Sequence, residues 1–148
     1  MPFQEKRTIV SMLGSLVIFS SYCLYMYQHY QDELLNSSND FSFWGIAFLI
    51  LIPISIIARI IIHIIFAIMN KIVTNEDMPS ITDERDKLIE LKSTRNSYYA
   101  FMVGFLLAMI SLTMDVPYYS MFIILCVSGF FAEMIAGFSS LYFYRRGI

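Results

Sequence analysis

Four long apolar blocks dominate the sequence, and a helix needs about 20 residues to cross the hydrocarbon core of a bilayer. The blocks cover residues 8–30, 41–69, 98–114 and 118–144. None of them alternates apolar and polar residues at a period of two, so transmembrane β-strands fit poorly. The pattern predicts an all-α membrane protein whose four transmembrane helices form two antiparallel hairpins joined by a cytoplasmic helix.

The composition agrees with this fold class. Of the 148 residues, 57% are hydrophobic and 15% are charged, whereas a soluble domain carries about 25% charged residues. The net charge of -2 gives no basic surface of the kind that binds nucleic acid. We therefore expect one integral membrane domain over residues 1–148 whose main partner is the lipid bilayer.

The residue types argue against an enzyme. Cys23 and Cys126 lie inside apolar blocks, which disfavours a disulfide scaffold and a Cys/His metal cluster. Catalytic zinc requires three protein ligands, and the chain has no His-Glu-x-x-His motif. A hydrolase would need a nucleophile with a base in reach, and His63 is the one candidate base for the serines of the apolar blocks. We predict no cofactor, no metal and no catalytic residue.

The positive charges set the expected orientation, because cytoplasmic loops are enriched in Lys and Arg. The connections 31–40 and 115–117 contain neither residue, whereas the two termini and the central segment contain all of them except Arg59. Both termini and the connector 70–96 are therefore predicted to be cytoplasmic, and the two acidic turns external.

A short charged helix is predicted inside the connector, from residue 83 to about 96. Acidic side chains occupy its first turn and basic ones its last turn, which suits the helix dipole. One interpretation is a surface that binds a protein partner, and the other is a solvated linker helix, since charged helix faces usually meet solvent. The candidate partner-binding residues are Asp83, Glu84, Arg85, Lys87, Lys92 and Arg95.

The charged segment 82–96 resembles part of a known protein family. The run Thr82-Asp83-Glu84-Arg85-Asp86-Lys87-Leu88-Ile89-Glu90-Leu91-Lys92, followed by Arg95-Asn96 and an apolar helix, resembles the Asp-Glu-Arg segment of a family of small membrane proteins of bacteria and archaea. That family has no known function. The resemblance covers about a fifth of the chain and implies a protein of the prokaryotic inner membrane.

Arg59, His63 and Glu133 lie well inside the apolar blocks, where ionisable residues mark functional or paired sites. Arg59 and Glu133 each lie roughly 16–18 Å from the inner end of their helices at 1.5 Å per residue. We predict an ion pair between them, the alternative being that Arg59 extends to the cytoplasmic surface. His63 follows Arg59 by four residues and shares its face, so a proton or cation path with Glu133 is a further alternative.

Small residues recur at three- and four-residue spacing in the last two blocks. Such rows allow helix backbones to approach closely in lipid, within one chain or between the chains of a homo-oligomer. The members of the rows are Gly104 and Ala108 in the third block and Gly129, Ala132, Ala136 and Ser140 in the fourth.

These observations favour a non-enzymatic regulatory or accessory subunit that acts by binding a membrane or cytoplasmic protein through the connector. The alternative is a small oligomeric transporter or channel that uses Arg59, His63 and Glu133. A membrane enzyme is the third choice, because no catalytic constellation is visible.

Overall fold

The computed structural model describes residues 3–30, 41–74 and 83–146. These residues form an all-α fold, which confirms the predicted class. The predicted acidic turn at 31–40 and the predicted loop at 78–82 lie outside the described residues. The four helices are α1 (Phe3–His29), α2 (Phe41–Thr74), α3 (Glu84–Ser111) and α4 (Tyr119–Arg146).

The third helix joins two predicted segments. The sequence predicts a connector helix from residue 83 to about 96 that runs into a helix over 98–114, and α3 is one helix from Glu84 to Ser111. No proline interrupts this stretch, so the backbone hydrogen bonds continue from the charged half into the apolar half. The connector helix is therefore the first half of α3 and not an independent element.

Local signals fix both ends of α3. Asp83 is the N-cap residue, and its side chain accepts a hydrogen bond of 2.8 Å from the backbone N–H of Glu84. At the other end, the N–H of Thr113 donates to the carbonyl of Ile110 at 2.9 Å, a tightened turn that often closes a helix. The turn to α4 consequently starts at Leu112 and includes Pro117.

The first two helices are longer than the apolar blocks that predict them. Helix α1 begins at Phe3, where the flanking Gln, Glu, Lys and Arg residues are good helix formers, and α2 continues to Thr74. At 1.5 Å per residue, α2 is about 51 Å long, well beyond the thickness of a hydrocarbon core of about 30 Å.

Helices α3 and α4 pack most closely, and small residues make this contact possible. A Cβ atom built on Gly104 would overlap the side chain of Ser128, and Ala108 and Ala132 are buried in the same interface. Gly129 belongs to the predicted row but not to the contact, since a Cβ atom there would meet nothing within 4 Å. The predicted rows are thus only partly interfacial.

Two glycines outside those rows bring α1 against its neighbours. A Cβ atom on Gly14 would overlap Ile62 of α2, and one on Gly137 of α4 would overlap Met12 of α1. Helix α1 therefore lies between α2 and α4, so that the two hairpins contact each other through α1 and α4 as well as through α2 and α4.

The charged ends of three helices lie together, and we call this end of the bundle the charged end. Gln4 of α1 donates to Asp86 of α3 at 3.4 Å, and Arg85 of α3 donates to the carbonyl of Tyr144 in α4 at 3.3 Å. Arg145 lies 3.9 Å from the buried carboxylate of Glu5. The starts of α1 and α3 and the end of α4 therefore meet at one end of the bundle.

Aromatic rings gather at the opposite end, which we call the aromatic end. The Trp44 ring stacks on Tyr119 at 5.9 Å between centroids, and Phe41 lies 5.6 Å from Tyr118. The start of α2 and the start of α4 meet here. Tyr and Trp prefer the headgroup level of a bilayer, so this end has the composition of a membrane interface.

The surface is the reverse of that of a water-soluble protein. Among the described residues, the buried apolar side chains are only Ile89, Ala108, Ala132 and Met134, whereas many large apolar side chains, such as Leu49 at 67% exposed, cover the outside. Exposed apolar surface of this extent indicates contact with lipid or protein.

Three of the described helices are long and apolar enough to cross a membrane. They are α1, α2 and α4, over Gln4–His29, Phe41–Val73 and Tyr119–Arg146. Helix α3 is not among them, because charges fill its first half and its apolar part, 98–111, is about 21 Å long at 1.5 Å per residue.

Candidate functional site

The carboxylate of Glu133 connects three helices. It forms an ion pair with Nη2 of Arg59 in α2, and it accepts a hydrogen bond from Oγ of Ser15 in α1. The predicted pair of Arg59 and Glu133 is therefore present in the structure. We call Ser15, Arg59 and Glu133 the central triad, without implying catalysis.

The central triad lies near the middle of its helices. At 1.5 Å per residue, Glu133 is about 20 Å from Arg146, and Ser15 is about 18 Å from Phe3. Ser15 is 5% exposed, and the Glu133 side chain is less exposed than that of Arg59, at 26% against 45%. The negative charge is thus partly covered by the bundle, while more of the guanidinium reaches its surface.

The sequence predicts the pair of Arg59 and Glu133 but not the contact of Ser15 with Glu133. The depth of Ser15 along α1 matches the depth of Glu133 along the antiparallel α4, and this match is the one sequence signal that points to it. Ser11 lies one turn away, so the signal does not select a single residue. Only the packing of α1 against α4 does so.

His63 lies beside the central triad but does not join it. It lines two cavities together with Arg59 and Glu133. Within the described parts of the chain, the hydrogen bonds of Glu133 go to Ser15 and Arg59 instead of His63. The predicted path between His63 and Glu133 is therefore a shared cavity and not a direct contact.

A polar cavity of about 450 Å³ extends from the central triad to the charged end, and we call it the inner cavity. All four helices contribute to its lining. Asp86 is held at its mouth, since Oδ1 accepts from the Tyr144 hydroxyl at 3.0 Å and Oδ2 accepts from Gln4. Its charged or ionisable nitrogen and carboxylate groups belong to Arg7, Arg59, His63, Asp86, Glu90 and Glu133.

The other side of the central triad is apolar. A cavity of about 610 Å³ continues past Glu133 between mainly apolar side chains, and a smaller one of about 250 Å³ lies near the aromatic end. The rings of Phe19 and Phe130 stack beside these cavities, with their centroids 4.4 Å apart. Trp44 lines the smaller cavity, and its Nε1 is buried with no hydrogen-bond partner among the described residues.

The predicted partner-binding residues of α3 divide into two groups. Asp83 caps the helix, Arg85 donates to the carbonyl of Tyr144, and the Lys92 ammonium lies 5.6 Å from the Phe143 ring centroid. Arg85 and Lys92 therefore contact α4, whereas Asp83 caps its own helix; the side chains of Asp83 and Arg85 are nevertheless exposed. The side chains of the second group, Glu84, Lys87 and Arg95, are exposed.

No metal centre is formed within the described residues, because they contain no group of three His, Cys, Asp or Glu side chains placed to hold an ion. Cys23 and Cys126 are free thiols and both line the small apolar cavity.

Fold and site together define an all-α bundle, with three helices suited to lipid and a central ion pair. No protein-family model matches the sequence, and no curated protein or solved structure is significantly similar to it. The resemblance of the segment 82–96 to the Asp-Glu-Arg family therefore stays a prediction.

Proposed function

We propose that the chain is an integral protein of the prokaryotic inner membrane in which α3 is a fourth crossing and both termini are cytoplasmic. The exposed apolar side chains of α3 support the crossing. Val103, Leu106 and Ile110 are 59%, 55% and 51% exposed, and water would disfavour such a row. The concentration of Lys and Arg at the charged end supports its cytoplasmic location.

Within this membrane we propose that the protein is a non-enzymatic regulatory or accessory subunit that binds a protein partner. The proposal rests on one observation: the first half of α3 is fixed to the bundle on one side and exposed on the other. Leu88 and Leu91 are 56% and 69% exposed, and Lys87 and Arg95 flank them on the exposed side. These four residues are the outer face of α3.

The attachment of α3 makes the outer face a preformed surface. Ile89 and Ser93 point into the bundle and are 1% and 4% exposed. The Ser93 hydroxyl donates to the carbonyl of Ile89 at 2.7 Å. Asp86 accepts hydrogen bonds from side chains of α1 and α4. A surface that is already ordered loses less conformational entropy on binding.

The chemistry of the outer face specifies the partner. Two leucines between basic side chains fit an apolar groove with an acidic rim, the arrangement that receives amphipathic helices. Opposite charges at the rim add orientation and a faster association rate more than raw affinity. We therefore propose an acidic protein surface at the cytoplasmic side of the membrane as the partner.

A photo-crosslinking amino acid at position 91 in native membranes tests this proposal. We expect a protein adduct of defined mass from Leu91 and none from Val103, a control on the same helix with comparable exposure. The combined changes Lys87→Glu and Arg95→Glu should remove the adduct while the chain remains in the membrane. Adducts with lipid alone, or a protein adduct insensitive to charge reversal, would contradict it.

A second function is a small transporter or channel assembled from several chains around Arg59, His63 and Glu133. The observation in its favour is the inner cavity, which brings polar groups from the charged end to the central triad. Four helices seldom enclose a complete path, so this function requires an oligomer. A strictly monomeric particle in mild detergent would exclude it.

A further inference from the structure

The charges that line the inner cavity are separated by sign. Its basic groups, Arg7 on α1 and Arg59 on α2, come from the first hairpin, as does the imidazole of His63. Its carboxylates, Asp86 and Glu90 on α3 and Glu133 on α4, come from the second hairpin. The cavity therefore has a basic wall and an acidic wall that face each other.

From this separation we infer that the inner cavity binds a small zwitterion, a molecule with an ammonium group and an anionic group a few bonds apart. The anionic group would lie against the basic wall, and the ammonium against the acidic wall. Arg59 and Glu133 already neutralise each other, which leaves Arg7 on one wall and Asp86 and Glu90 on the other, so a purely anionic or purely cationic ligand would meet charge of its own sign on one side.

The size and position of the cavity fit this ligand class. Its volume of about 450 Å³ lies within the range of small-molecule pockets, about 300–1,000 Å³. Charge-assisted hydrogen bonds are roughly twice as strong as neutral ones. A ligand that offers both charges uses both walls at once.

Arg59 can contribute at the deep end of the cavity without losing its ion pair. A guanidinium has five N–H donors, and the contact with Glu133 is made through Nη2. Asp86 is already oriented at the mouth by Gln4 and Tyr144. Arg7 and Glu90 are exposed side chains on opposite walls, so they are positioned to accept a ligand without first breaking a buried contact.

Two sources supply this chemistry, a free solute of the cytoplasm and the headgroup of phosphatidylethanolamine. An experiment on the purified full-length chain in nanodiscs of phosphatidylglycerol distinguishes these two sources. In one arm soluble phosphoethanolamine is added; in the other, phosphatidylethanolamine replaces part of the lipid. The readout is the midpoint of thermal unfolding, which rises with the occupancy of a native site. Ethanolamine and inorganic phosphate, each alone, are the single-charge controls.

We expect one arm to raise the midpoint by at least about 2 °C, with neither single-charge control reproducing the shift. A shift in the soluble arm identifies a free solute, and a shift in the lipid arm alone identifies the headgroup. No shift in either arm, or an equal shift with ethanolamine or phosphate, would overturn the inference.

Matched variants connect the shift to the cavity. Glu90→Gln and Arg7→Gln each remove one charge from a wall, and each should weaken apparent affinity about tenfold. Glu84→Gln and Lys6→Gln are exposed changes on the same two helices outside the cavity, and they should leave it unchanged. Equal losses in both sets would mean that overall charge, and not the cavity, controls the response. The crosslinking result from Leu91 is independent of this outcome.

Discussion

At the scale of residues, the central triad pairs polar side chains that would otherwise lie unpaired among apolar ones. An unsatisfied polar group in hydrocarbon costs several kcal/mol, and Ser15, Arg59 and Glu133 satisfy one another across three helices. The arrangement requires one carboxylate, one guanidinium and one hydroxyl at the same level. Its members therefore position α1, α2 and α4 relative to one another.

Removing the charge of Glu133 should destabilise the bundle. Glu133→Gln keeps an oxygen that can accept from Ser15 but leaves Arg59 without its counter-ion, where an isolated charge costs about 2.5–3.5 kcal/mol. We expect the free energy of unfolding in detergent to fall by about 2–3 kcal/mol. Glu90→Gln, the same change at an exposed position, should alter it by less than about 0.5 kcal/mol.

The exchange of the two charges separates pairing from other roles of the residues. The double variant Arg59→Glu with Glu133→Arg should recover part of the stability lost by either single change, because the opposite charges still meet. If the double variant is as unstable as the sum of the singles, the ion pair does not hold the helices together.

The two charged members of the triad could be predicted from sequence because charges in apolar blocks are rare and normally pair. Ser15 could not, since serine is common in transmembrane helices and its short hydroxyl can return to its own backbone. Ser55 and Ser128 do so, donating to carbonyls four residues earlier at 2.7 and 2.6 Å. Whether a serine bonds within its helix or between helices depends on packing that the sequence alone does not specify.

At the scale of elements, α3 shows what charge pattern can and cannot predict. The change from charged to apolar residues near position 97 predicts a change of surroundings, and the exposed apolar side chains beyond it agree. It does not predict a break in the backbone, because helix formers continue through the change. The cap at Asp83 and the turn near Pro117 are local backbone signals, and the ends of α3 and α4 lie close to them.

The contact between α3 and α4 depends on the absence of a side chain at Gly104. In Gly104→Ala the new Cβ would overlap Oγ and Cβ of Ser128, so the helices must separate. We expect a net loss of about 1–3 kcal/mol, even though alanine alone favours a helix by about 1 kcal/mol. Unfolding of the purified chain in mixed micelles measures this loss.

Gly129→Ala is the matched control for this change. It lies on α4 one residue after Ser128, and its Cβ would meet nothing within 4 Å, so the variant should be as stable as the parent or slightly more so. Adding Ser128→Gly to Gly104→Ala should restore stability by removing the overlapping atoms. Equal effects of the two alanine variants would show that α3 and α4 are not in close contact at this point.

At the scale of the whole molecule, the two ends differ in the solvent for which they are suited. The inner cavity opens among ionisable groups at the charged end, whereas the cavity near the aromatic end has an apolar lining. The central triad lies where these two regions meet. Among the described residues, the polar lining that a polar ligand could enter is at the charged end, which in the proposed orientation faces the cytoplasm.

The packing of α3 along α4 makes the proposed topology testable with two positions. In the proposed topology α3 crosses the membrane antiparallel to α4, so we expect Glu84 and the turn at Asp115 on opposite sides. In a chain with Cys23→Ala and Cys126→Ala, we expect Asp115→Cys to react with a membrane-impermeant maleimide added to intact cells. Glu84→Cys, also an exposed acidic position, should react only after the membrane is opened. Labelling of both positions in intact cells would mean that α3 does not cross, and labelling of Glu84→Cys alone would reverse the orientation and put the inner cavity outside the cell.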